Sequence, residues 1–97
     1  MTAEFEQKIV DQIRDIFDRY DLIYMDIDLT GVKYNSLFRV AYNKNKAEYK
    51  LEDIHCFKIK LVSASFNKLL DDFIDYLQKT YTEKYELRLT PKIKLAE

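Results

Sequence analysis

Apolar residues in this chain repeat with two different periods, and the points where the period changes constrain its fold. Phe5, Ile9, Ile13, Ile16, Phe17 and Tyr20 fall on one stripe of a 3.6-residue helix, with Asp11, Arg14, Asp15 and Asp18 elsewhere around it. Thr2 is placed to cap that helix and Glu4 to favour its first turn, so the spacing predicts a helix over residues 3–20. From Asp21 the period drops to two. Ile23, Met25, Ile27 and Leu29 alternate with Tyr24, Asp26, Asp28 and Thr30, and the run stops at Gly31. A second alternating run covers about residues 35–43, with Phe38, Val40 and Tyr42 on one face and Leu37, Arg39 and Ala41 on the other. Residues 43–46 read as a polar turn, because asparagine tolerates left-handed backbone. Beyond it Ala47, Tyr49 and Leu51 alternate with Glu48, Lys50 and Glu52. Phe57, Ile59 and Leu61 then alternate with Lys58 and Lys60, so residues 47–62 form either one bulged strand or two.

The helical period returns at Phe66, Leu69, Leu70, Phe73, Ile74 and Leu77, with Ser63 or Ser65 as the cap and Asp71, Asp72 and Asp75 facing away. Tyr85, Leu87 and Leu89 against Lys84, Glu86 and Arg88 make a last strand. Pro91 interrupts it, leaving residues 91–97 as a short C-terminal tail or edge strand. The order α-β-β-β(-β)-α-β, with one apolar face on every element, predicts an α+β two-layer sandwich. In it, two helices lie on one face of a mainly antiparallel sheet, and residues 1–97 make a single domain.

Several chemistries are excluded by what the 97 residues lack. One glycine and one proline leave no glycine-rich phosphate loop, and one cysteine and one histidine leave no cysteine zinc site and no HExxH motif. His55 and Cys56 are neighbours on a strand and point to opposite faces, so they do not form a nucleophilic dyad; parity places His55 inward. No cofactor or metal is expected. No apolar run reaches membrane-spanning length, no secretory signal pattern opens the chain, and a lone thiol fits a reducing compartment, so the expected location is cytoplasmic.

Net charge is −1, but residues 1–30 hold eight acids and three bases while residues 31–97 hold nine acids and thirteen bases. Such asymmetry can steer a partner of opposite sign. Asp26 and Asp28 project from one strand face beside Tyr24, either as an acidic hot spot or as a solvated face paired across to Arg39. Glu48-Tyr49-Lys50 resembles the acid-x-Lys motif of restriction-endonuclease-like nucleases, whose core also runs α-β-β-β-α-β. That resemblance implies a metal-dependent nuclease carried by Asp28, Glu48 and Lys50, although the acids stand on the first strand where the family has them on the second. The α-β-β-β-α order also resembles a double-stranded RNA-binding domain. It implies nucleic-acid binding through Arg39, Lys50, Lys58, Lys60 and Arg88, against a sequence pI of 5.9.

Eight tyrosines suit recognition of a protein, since tyrosine supplies contact area at low entropy cost. Parity assigns Tyr20, Tyr42, Tyr49 and Tyr85 to the core, and Tyr24, Tyr34, Tyr76 and Tyr81 to exposure. In size and composition the chain is similar to the compact inhibitors and immunity-type proteins of phages and mobile elements. The leading expectation is a non-enzymatic protein-binding module that occludes a partner with an acidic patch of Asp15, Asp18, Tyr24, Asp26 and Asp28. A homodimer through the open sheet face or the C-terminal edge is a further expectation.

Overall fold

The computed structural model describes residues 3–31, 35–55, 59–80 and 86–94, the first four of them by backbone alone. Two helices and five strands follow the expected order: α1 (Ala3–Arg19), β1 (Leu22–Thr30), β2 (Asn35–Asn43), β3 (Glu48–Asp53), β4 (Lys60–Ser63), α2 (Phe66–Thr80) and β5 (Glu86–Ile93). The strands form one antiparallel sheet in the order β4-β3-β2-β1-β5. Residues 47–62 therefore contain two strands that reverse on each other, Leu51 opposite Leu61.

Both helices lie on one face of the sheet. Ile9, Val10 and Ile13 of α1 and Leu69, Leu70, Phe73 and Leu77 of α2 bury against Met25, Ile27, Leu29, Phe38, Val40 and Leu51 in a single core. Phe38 meets Phe73 edge-on at 5.1 Å and Tyr76 at 6.1 Å between centroids, so Tyr76 is packed against the core and not exposed as parity suggested. Tyr49 does take its expected core position, 4.8 Å from Phe66 and 6.4 Å from Phe17. Tyr20, just past the end of α1, and Tyr42, next to last in β2, do not, and both stay exposed. Ser65 supplies the cap of α2, its hydroxyl accepting from the Lys68 N–H at 3.3 Å.

Three local features depart from simple alternation. The β1–β5 register shifts between Leu22 and Tyr24, which packs Leu22 against the core and leaves Ile23 46% exposed. In the β2–β3 turn, Asn43 accepts from the N–H groups of Asn45 and Lys46, and it is Ala47, at φ 50°, that takes the left-handed backbone. At the last residue of β3, Asp53 is 4% exposed and its carboxylate accepts the His55 N–H at 2.9 Å. His55 itself is exposed in that turn, not inward, because the chain leaves the strand at Asp53. Pro91 does not break β5; it pairs opposite Met25 on an edge strand, where only one side needs ladder donors, and the pairing runs on to Lys94 N–H on the Asp21 carbonyl. Thr2, Tyr34, Cys56, Phe57, Lys58, Tyr81, Lys84, Tyr85 and the tail from Leu95 lie outside the described residues, as does the side chain of Phe5.

Candidate functional site

Residues opposite one another in an antiparallel sheet share a face, so the register defines the surface left free by the helices. Met25, Ile27 and Leu29 take the helix side, which puts Tyr24, Asp26, Asp28 and Thr30 on the other. One rung of that open face runs Lys60, Glu52, Arg39, Asp26, Thr90 across all five strands, four alternating charges in a row. The neighbouring rung runs Val62, Lys50, Ala41, Tyr24, Lys92.

Arg39 organises the centre. Its Nε donates to Asp26 Oδ1 at 2.8 Å and its Nη2 to Asp26 Oδ2 at 3.2 Å, while the guanidinium carbon lies 3.9 Å above the centroid of Tyr24. Two parallel hydrogen bonds and a ring underneath fix the guanidinium plane, which a point charge could not match. The pair is partly shielded, with 37% of the Arg39 and 21% of the Asp26 side chain exposed. The hydrogen bonds that Arg39 donates to Asp26 raise the Arg39 pKa above its ordinary value; partial burial opposes this, and the charges of Asp26, Tyr24 and Glu52 add to it. Lys50 and Glu52 form a second ion pair at 3.4 Å along the same face.

The expected acidic patch divides between the two layers. Tyr24, Asp26 and Asp28 stand together on the open face, but Asp15 and Asp18 project from α1 on the far side of the sheet, with Asp15 engaged by Arg19 at 3.3 Å. Parity in a strand and parity around a helix do not say which surface the two share, and this separation required the packing. The basic set fares better as a geometric unit: Arg39, Lys50, Lys60 and Arg88 all occupy the open face, with Lys58 outside the described residues. Acids are interleaved with them, however. Among the described strand residues Arg39, Lys50, Lys60, Arg88 and Lys92 are matched by Asp26, Asp28, Glu48, Glu52 and Glu86.

The nuclease set is not assembled. Asp28 stands opposite Leu37 and Glu48 opposite Asn43, six residues further along β2, which is roughly 20 Å of strand. Two carboxylates so placed cannot share a cation whose ligands lie within about 2.6 Å. Among the described residues no group of three His, Cys, Asp or Glu is close enough to hold a metal ion, and no helix is long and apolar enough to cross a membrane. Sequence reasoning did find Arg39 as the cross-strand partner of Asp26. It missed the stacking on Tyr24, whose signal is the diagonal from Arg39 to the residue two before its partner. No family model matches the chain, and no curated protein or solved structure does either.

Proposed function

We propose that the chain is a non-catalytic, cytoplasmic protein-binding module that seats the uncovered face of its sheet on a partner protein of mixed charge. The observation that carries this reading is the Arg39–Asp26–Tyr24 cluster, a pre-ordered charge pair and aromatic ring at the middle of a face that neither helix covers. An interface gains specificity when charges are held in place before contact, because ordering costs are already met. The balanced charge of the face suits a protein surface with the complementary pattern better than a phosphate backbone, which demands net positive charge. In this reading the protein acts by occlusion, as small inhibitors and immunity-type proteins of phages and mobile elements do.

The test is capture from nuclease-treated lysate at low salt, comparing the native chain with two charge reversals, Asp26→Lys/Asp28→Lys on the sheet and Asp15→Lys/Asp18→Lys on α1. A stoichiometric protein whose affinity falls tenfold or more with the sheet variant, and is kept by the α1 variant, supports the reading. Equal capture by the sheet variant, or capture that disappears with nuclease, overturns it. Thermal denaturation of both variants confirms that each is folded.

A further inference from the structure

At one end of the open face, where the β2–β3 turn meets β3 and β4, lies a concavity of about 450 Å³. Its lining includes Lys44 and Lys46 from the turn, Lys50 from β3 and Lys60 from β4, with Glu48 as the one acid. Asn43 and Tyr42 complete the wall on the β2 side. The turn is built to hold this shape: the Asn43 carboxamide oxygen gathers the N–H groups of Asn45 and Lys46, and Ala47 at φ 50° returns the chain into β3. Among the described residues, Lys44, Lys46 and Lys60 make no ion pair, while Lys50 already has Glu52. Four lysines and a single acid thus line a space in the size range of small-ligand sites.

A second observation comes from the far side of β1, at the end of β5. Lys94, held at the end of β5 by its N–H bond to the Asp21 carbonyl, lies against Lys44. The contact with Lys44 lowers the Lys94 pKa, and the nearby charge of Asp21 opposes the shift. Lys94 thus adds positive charge beside the turn, outside the lining of the basin.

We propose that this basin is an anion site for a phosphate-bearing ligand, held by Lys44, Lys46, Lys50 and Lys60. Lysine serves phosphate as a mobile point charge, and several around one concavity can neutralise a chain of phosphoryl groups without a glycine-rich loop. The basin lies on the same open face as the Arg39 cluster but includes neither Arg39, Asp26 nor Tyr24, and its titration needs no partner protein, so its failure can be told apart from failure of the function proposed above. The same chemistry is offered by a free polyphosphate and by a nucleic-acid backbone.

The experiment is a titration of the purified full chain with sodium tripolyphosphate, and separately with a short oligothymidylate, followed by amide chemical shifts at low ionic strength. Saturable shifts centred on residues 41–46, Lys50 and Lys60, with affinity reduced tenfold or more in Lys44→Gln/Lys46→Gln and within twofold of native in Lys79→Gln, support the site. Tenfold tighter binding of the oligonucleotide than of tripolyphosphate assigns the backbone as the source, and comparable binding assigns the free anion. No saturation by either probe overturns the proposal, as do shifts spread equally over Lys8, Lys68 and Lys79 or undiminished binding by the double variant. The substituted lysines are exposed, and the amide spectrum of each variant reports its fold directly.

Discussion

Arg39 joins β1 to β2 through two hydrogen bonds to Asp26 and through its seat on Tyr24. Its partial exposure keeps the expected cost of Arg39→Ala at about 1 kcal/mol in chemical denaturation, and Arg39→Lys should recover less than half because the fork and the stacking are both lost. The pH dependence follows from the sign of the shift. A base whose pKa is raised on folding stabilises fully below its unfolded value and loses that contribution only as pH climbs through the folded one. For Arg39 both lie above the ordinary range of study, so the native advantage over Arg39→Ala should stay flat from pH 7 to about 11. Asp53 behaves differently because it is buried. Asp53→Ala leaves the His55 N–H without its acceptor and should cost roughly 1–3 kcal/mol, whereas Asp53→Asn keeps an acceptor and most of the stability. The two residues also differ in legibility. Asp26 and Arg39 were readable as a pair, since both sit on the polar parity of adjacent predicted strands. Asp53 was not, because alternation assigns a face only while a strand continues, and the chain turns there. The inward placement of His55 failed for the same reason.

At the level of elements, the helices were the most legible parts, since an unbroken apolar stripe has only one way to face a core. Phe73→Ala at the centre of that stripe should cost about 3–5 kcal/mol by removing a ring stacked edge-on against Phe38, measurable as a loss of denaturation midpoint at constant slope. Turns carry a weaker signal. The left-handed position fell on Ala47 and not on an asparagine, so Ala47→Gly should stabilise the β2–β3 hairpin by up to about 1 kcal/mol, the relief of strain exceeding the added freedom of the unfolded chain. The bulge at Ile23 lay beyond sequence reading altogether. It depends on how β1 meets β5, a strand between 56 residues (Thr30 to Glu86) and 71 residues (Leu22 to Ile93) further along the chain. Strict alternation in residues 23–29 gave no hint that Leu22 would supply the core contact.

Across the whole molecule, the charge asymmetry of the sequence resolves into two surfaces, an acid-bearing helix layer and a sheet face whose acids and bases cancel. Their salt responses should differ. Association through the sheet face should slow only modestly between 50 and 300 mM salt, because opposed charges there act at contact, while any steering by α1 should vanish over the same range. The sheet order has a further consequence. β1 lies between β2, which follows it directly, and β5, which comes after the other described elements in sequence. On the ribosome β1 through β4 can pair as they emerge, with one flank of β1 bare and its backbone donors and acceptors unmet. That flank waits for Glu86–Ile93, and a neighbouring nascent chain on the same message presents an identical strand to it. Slow translation between α2 and β5 would therefore prolong the interval in which this protein is most prone to join its own siblings, and rapid delivery of the final strand is what closes it.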